Sequence, residues 1–121
     1  MANNKGLFYP FAIIQGETFS FSFEFNISGM EQYFDEYTFV GHVRDKDNAL
    51  ITIANMVFVE SEEAANIIDV SIPATQTQTI TDGTYNYEIK CTNIETSEVK
   101  TLFYGSFSAK NTMILNTNPF G

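Results

Sequence analysis

The chain has 121 residues, a length that suits one domain built around a single hydrophobic core. It carries 15 acidic and 6 basic residues, a formal net charge of −9, which disfavours binding to nucleic-acid phosphates and to anionic membrane surfaces. The single cysteine excludes an intrachain disulfide and a cysteine-based zinc cluster. We expect no secretory signal, and no apolar run approaches the roughly 18 residues of a membrane-spanning helix.

Aromatic residues are frequent, with 12 Phe and 6 Tyr, and they favour pleated β-structure. The clearest strand is at residues 19–27, where four phenylalanines and an isoleucine alternate with polar residues. This period of two predicts one buried and one solvated face. Residues 8–15 form an extended segment before it. Because that segment contains Pro10, it is predicted to be an edge strand or an arm.

Five further strands are predicted in chain order, at residues 37–44, 50–60, 66–72, 84–91 and 98–110. The 50–60 segment has a mixed pattern, so a bulge or break is expected near Asn55. Residues 74–80 are predicted to form one helical turn, since their threonines disfavour a longer helix. About seven strands separated by turns indicate an all-β fold, an antiparallel β-sandwich, with an eight-stranded barrel as the alternative.

The alternation within each strand also predicts which side chains are buried. The expected core residues are Phe21, Phe23, Phe39, Tyr87, Ile89 and Phe103. In the last strand, Val99 is assigned to the same face as Phe103 and Phe107, and Leu102 and Tyr104 to the opposite face. Tyr85 or Tyr87 suits a tyrosine corner, in which a buried ring places its hydroxyl on upstream backbone.

The sequence contains no recognisable catalytic motif. His42 is the only histidine and is expected on an outer face, while Cys91 is expected to be a small buried hydrophobe. Acidic loops at residues 45–48 and 60–63 offer oxygen ligands without the spacing of a calcium-binding loop. We therefore expect no enzymatic activity, no catalytic residues, no cofactor and no metal site.

Five stretches, in this order, resemble a family of immunoglobulin-like virion proteins of tailed bacteriophages. They are residues 14–23 (IQGETFSFSF), 37–44 (YTFVGHVR), 68–75 (IDVSIPAT), 82–89 (DGTYNYEI) and 102–107 (LFYGSF). The chain departs from the family pattern before Tyr37, where a Leu-Thr-Gly type turn is common, and at Tyr87-Glu88, where a Tyr-Asp pair is usual. The resemblance implies an immunoglobulin-like β-sandwich with a non-enzymatic, structural role in the particle.

The implied location is the virion, after synthesis in the host cytoplasm, and the implied partners are other virion proteins of the capsid or tail. Self-association into a homo-oligomer is left open, and no nucleic-acid or membrane partner is expected. The absence of a stalk or second module favours a head decoration or cement protein over a tail, baseplate or fibre-attachment module.

The predicted organisation is an extended arm at residues 1–12, the sandwich at 13–110 and a tail at 111–121. The apolar residues of the two ends show no strong period, so they are expected to dock on neighbouring subunits and to be dispensable for folding. These residues are Leu7, Phe8, Tyr9, Phe11, Met113, Ile114, Leu115 and Phe120. A carbohydrate-binding module is the alternative from another class, with Leu102, Tyr104, Tyr33 and Phe34 as its exposed candidates.

Overall fold

The computed structural model describes residues 7–110 of the chain. Its strands are β1 (Leu7–Phe8), β2 (Phe11–Ile14), β3 (Phe19–Glu24), β4 (Asn26–Ile27), β5 (Met30–Glu31), β6 (Tyr37–Arg44), β7 (Thr52–Asn55), β8 (Val57–Glu60), β9 (Ile67–Ile72), β10 (Gly83–Asn93) and β11 (Val99–Lys110). A 3-10 turn, Phe34–Glu36, precedes β6, and the single-turn helix α1 (Ala74–Thr77) follows β9. Within this range no helix is long and apolar enough to cross a membrane.

Two sheets share one core. The large sheet has the order β1-β11-β10-β6-β7, with β2 also paired to β11, and the small sheet has the order β3-β9-β8. β4 and β5 form a separate short hairpin. β1 and β2 run parallel to β11, whereas the other pairs of both sheets are antiparallel. The predicted all-β sandwich is confirmed.

The central strand β10 follows the alternation that its sequence predicts. Tyr85, Tyr87, Ile89 and Cys91 are buried, and the residues between them face solvent wholly or in part. Because β10 pairs with β6 on one side and β11 on the other, all of its inward side chains enter the core. Tyr85 makes the tyrosine corner, since its hydroxyl donates to the Thr81 carbonyl at 2.8 Å.

The chain passes from the large sheet to the small sheet at Met56. β7 pairs with β6, whereas β8 pairs with β9. The Met56 N–H donates to the Gly41 carbonyl at 2.9 Å. The Met56 side chain packs directly on Gly41, where an added Cβ would lie 2.8 Å from the Met56 sulfur. The break predicted near Asn55 therefore lies one residue later and is a change of sheet.

A bulge in β11 changes the faces that the sequence predicts for this strand. Ile89 pairs with Phe103 but Lys90 pairs with Thr101, so Leu102 is an extra residue in the ladder. Leu102 consequently packs against the core, while Val99 is 56% exposed. The predicted faces of Leu102 and Val99 are wrong, because one inserted residue reverses the phase of the strand beyond it.

The predicted core residues occupy two levels of burial. Tyr87 and Ile89 are fully buried, whereas Phe21, Phe23, Phe39 and Phe103 are partly buried and pack around the core. The fully buried phenylalanine rings are instead those of Phe25 and Phe107. Phe21 and Phe23 are less buried because β3 is the edge strand of the small sheet.

Candidate interaction surface

The residues considered for chemistry do not assemble into a reactive group. His42 Nδ1 lies 2.8 Å from the side-chain oxygen of Asn55, on the outer face of the large sheet. Cys91 is 1% exposed, and burial raises the pKa of its thiol to about 11, so the nucleophilic thiolate is disfavoured at neutral pH. Within residues 7–110, no group of three or more His, Cys, Asp or Glu side chains is placed to hold a metal ion.

Residues 7–14 form an edge of the large sheet. The parallel ladder aligns Phe8 with Tyr104 in β1 and Phe11 with Phe107 in β2. Pro10 lies between the two short strands, where a residue without an N–H interrupts the ladder and leaves no unpaired donor. Of the two alternatives left by the sequence, the structure has the edge strand, so the sandwich begins at Leu7 and not at residue 13.

The backbone of Tyr9 fixes this edge against the sheet. Its N–H donates to the Tyr104 carbonyl at 2.9 Å, and its own carbonyl accepts from the Tyr87 hydroxyl at 2.5 Å. A Cβ on Gly105 would stand 2.7 Å from the Tyr9 carbonyl oxygen, closer than real side chains approach backbone. Burial raises the pKa of Tyr87, which keeps its hydroxyl protonated as the donor.

The N-terminal edge carries exposed apolar side chains, here called the N-terminal patch. It consists of Leu7, Phe8, Tyr9 and Tyr104, which are 63%, 60%, 53% and 38% exposed. The register with β11 puts Phe8 on the outer face with Tyr104, and Leu7 on the opposite face with Phe103. The rings of Phe8 and Tyr104 are in edge-to-face contact, with centroids 5.6 Å apart. Three of the docking residues predicted from the sequence therefore lie in or directly after β1, and one of them, Phe8, contacts Tyr104 of β11.

The remaining predicted docking residues do not lie on this surface. Phe11 is partly buried, and its ring packs against Phe19 and Phe21 with centroids 5.0 and 4.6 Å apart. It thus joins the two sheets instead of facing a partner. Met113, Ile114, Leu115 and Phe120 lie outside the described residues.

A polar row begins at the patch and crosses the outer face of the large sheet. The strand register aligns Tyr104, Glu88, His42 and Asn55 on four neighbouring strands. Glu88 also pairs with Lys90, whose Nζ lies 3.6 Å from its carboxylate. The surface beside the patch therefore offers both hydrogen-bond donors and hydrogen-bond acceptors.

The sugar-binding candidates are divided by the structure. Leu102 and Phe34 pack against the core, and the Phe34 ring stacks on Phe39 with centroids 5.4 Å apart. Tyr33 is 40% exposed, like Tyr104. Of the four, Tyr104 is the one aligned with the polar row.

No protein-family model matches the sequence, and no curated protein matches it.

Proposed function

We propose that this chain is a non-enzymatic structural protein of a tailed bacteriophage particle, which binds neighbouring capsid or tail proteins through its surface. The N-terminal patch is the observation that carries this proposal. It exposes Leu7 and Phe8 of β1, the adjacent Tyr9, and Tyr104 of β11 at the edge of the large sheet. Several large exposed apolar groups at one edge of a domain are typical of protein–protein contact sites.

The strand order supports an immunoglobulin-like form of the sandwich, as the family resemblance implies. In that fold the second, fourth and fifth strands share one sheet, and the third, sixth and seventh share the other. Here β3, β8 and β9 form the small sheet, while β6, β10 and β11 are neighbours in the large sheet. The Tyr85 bond at the start of β10 corresponds to the tyrosine corner of such domains.

A rigid patch binds at lower entropic cost than a disordered arm. Ordering a flexible segment costs roughly 1–2 kcal/mol per residue in backbone entropy. Residues 7–14 are already ordered by β11 and by the Tyr87 hydroxyl, so this cost falls on folding and not on assembly. A capsid decoration or cement protein is the favoured form of the proposal, and a tail, baseplate or fibre-attachment module is the alternative.

The proposal is tested by locating the chain in purified particles and by changing the patch. Leu7→Ser with Phe8→Ser removes the apolar groups of β1. The control, Val57→Ser with Val59→Ser, removes side chains that are 45% and 53% exposed on the small sheet. We expect mass spectrometry to find the chain in particles, with head fractions favoured over tail fractions, and only the patch variant to lose incorporation. Absence from particles, or equal incorporation of both variants, would contradict the proposal.

A carbohydrate-binding module is the second candidate, favoured by the exposed Tyr104 ring beside Glu88 and His42. Aromatic rings stack on sugar faces while polar side chains bond the hydroxyls. A glycan array tests this function directly. Binding that is lost in Tyr104→Ala and retained in Tyr33→Ala would support it, and an array without signal would remove it.

A further inference from the structure

The two long sides of the sandwich are closed differently. On one side the chain itself crosses between the sheets at Met56, which is 7% exposed. On the other side the neighbouring edges are β2 and β3, joined at one end by the turn at residues 15–18. A groove lies between these two edges, lined in part by Ala12, Ile14 and Phe19. Apart from this turn, no segment within residues 7–110 crosses between the sheets on this side, which we call the open side.

The backbone of β3 has one hydrogen-bonding edge to which no strand within residues 7–110 is paired. In its antiparallel ladder with β9, residues point their N–H and C=O groups alternately toward and away from the partner strand. The Phe25 N–H donates to the Asn66 carbonyl at 2.7 Å, and this bond continues the register of β3 with β9. The odd-numbered residues of β3 therefore direct their backbone N–H and C=O groups toward β9. Ser20, Ser22 and Glu24 therefore point their backbone groups outward. No strand within residues 7–110 pairs with them.

The side chains of β3 are incompletely covered on the same side. Phe19, Phe21 and Phe23 face inward but are only partly buried, whereas Ile68, Val70 and Ile72, which pair with them on β9, are fully buried. The strand has six residues without a proline, a lysine or a bulge, the devices that usually protect a sheet edge. An added strand would satisfy the outward backbone groups and cover the three rings.

We infer that this added strand is β3 of a second copy of the chain, paired antiparallel about a two-fold axis through Ser22. In this register Ser22 bonds to Ser22 of the second copy, and Ser20 pairs with Glu24, so every outward backbone group is used. The two Glu24 carboxylates lie at opposite ends of the paired segment. The small sheets of the two copies then form one continuous six-stranded sheet.

The side chains favour this occupant as well. Between the hydrogen-bonded pairs, Phe21 stands opposite Phe23 of the second copy and Phe23 opposite Phe21. These are the close, non-hydrogen-bonded positions, where aromatic pairs stabilise a sheet. A matching partner must carry aromatic residues at alternate positions with small polar residues between them. Tyr37-Thr38-Phe39 of β6 and Tyr85-Asn86-Tyr87 of β10 share this alternation but lie in inner strands of the large sheet. Within residues 7–110, β3 is the edge strand with that pattern. The inference does not depend on the proposed virion role.

A cysteine at the axis tests the register with purified protein. Ser22→Cys places two cysteines opposite each other at a hydrogen-bonded pair, where the Cα atoms are about 5.5 Å apart. A disulfide can span this Cα separation. Cys91 is buried and does not compete. The control Asn86→Cys puts a thiol on the outer face of the large sheet. Under mild oxidation we expect Ser22→Cys to form a covalent dimer in high yield and Asn86→Cys to stay largely uncrosslinked. Equal crosslinking of the two variants would overturn the register.

A proline at the axis tests the backbone bonds. Ser22→Pro removes the outward N–H without touching the ladder to β9, and its control Ser22→Ala keeps that N–H. Both variants lose the 2.6 Å bond from the Ser22 hydroxyl to Asp69. By analytical ultracentrifugation, with folding checked by circular dichroism, we expect Ser22→Pro to dimerise about tenfold or more weakly than Ser22→Ala.

Three outcomes would overturn the inference. One is a wild-type protein that stays monomeric up to high concentration, as when the chain's own terminal residues cover the edge. Another is open-ended association without a defined dimer. The third is a folded Ser22→Pro variant that dimerises as well as Ser22→Ala.

Discussion

At the scale of single residues, Gly105 decides how closely the N-terminal edge approaches the sheet. Its φ of +155° and its 2.7 Å approach to the Tyr9 oxygen both require the absence of a Cβ. We predict that Gly105→Ala destabilises the protein by about 1–3 kcal/mol. Gly16→Ala is the control, because Gly16 has a φ of +89° but no atom near its missing Cβ. Urea unfolding measures both, and a smaller effect at Gly105 than at Gly16 would contradict the contact.

The buried thiol of Cys91 makes stability depend on alkaline pH. Burial raises its pKa from the ordinary thiol value of 9.0 to about 11 in the folded chain. The folded state therefore holds this proton where the unfolded state has lost it, and its contribution to stability falls as pH rises from about 9 to 11.

We predict that Cys91→Ala unfolds more easily at neutral pH but loses less stability between pH 9 and 11 than the wild type. Urea titrations at several pH values measure the difference, and Tyr87, whose pKa is also raised, contributes equally to both proteins. A thiol reagent should modify native Cys91 slowly at pH 8. Identical pH slopes for the two proteins would show that the thiol does not titrate differently on folding.

Phe23 in β3 and Phe25 directly after it differ in how far their rings are buried. Phe25 is fully buried and contacts Tyr37 and Phe39, whereas Phe23 is partly buried. We predict that Phe25→Ala costs about 3–5 kcal/mol and that Phe23→Ala costs less, because truncating a partly exposed ring leaves a smaller cavity. Thermal or urea unfolding of the two variants gives the order. The reverse order would place the centre of the core nearer to Phe23.

At the scale of elements, the N-terminal edge is part of the folded domain. Deletion of residues 1–10 removes β1 and the Tyr9 carbonyl that accepts from Tyr87. We predict a melting temperature several degrees lower than that of a chain lacking residues 1–6 only, since about 1–3 kcal/mol follows from one unpaired buried hydroxyl. Equal melting temperatures would show that residues 1–10 are dispensable for folding, as the sequence pattern predicts.

The elements also show where sequence periodicity is informative. β3, β6 and β10 alternate strictly, so their positions and inward faces follow from local pattern alone. The parallel pairing of β1 and β2 with β11 does not, because the pairing partner lies at the far end of the chain and Pro10 breaks the local signal. The bulge at Leu102 cannot be predicted from the sequence either, because no residue pattern in β11 marks where the extra residue lies.

The same limit applies to the interaction surface. The exposure of Leu7, Phe8 and Tyr9 follows from their lack of a sheet period, as the sequence predicts. Their association with Tyr104 requires the register between β1 and β11, which no local pattern contains. The open side of β3 is a property of the whole sheet order, so it could not be predicted either.

At the scale of the whole molecule, the net charge of −9 opposes compaction. Within residues 7–110 the ion pairs are Glu88–Lys90 and Glu98–Lys100, at 3.6 and 3.4 Å on the surface. Such pairs contribute little, so repulsion among carboxylates dominates the electrostatic balance. We predict that the melting temperature rises between low salt and about 0.5 M sodium chloride, where screening is short-ranged. A fall with salt, measured by calorimetry, would mean that attractive pairs dominate instead.

The pairing of the first strands with the last one governs when the domain can form during synthesis. Phe11 aligns with Phe107, so β2 has no partner in its sheet until nearly all of the described chain has been translated. Contacts between residues so distant in sequence give a high contact order, which is characteristic of folding in milliseconds to seconds. The nascent chain therefore carries Leu7 and Phe8 without their partner strand until β11 is made, and the alternating phenylalanines of β3 without theirs until β9 is made. Chaperones that bind extended apolar segments can therefore meet β1 and β2 before β11 has been made, and the emergence of β11 is the step that completes the large sheet.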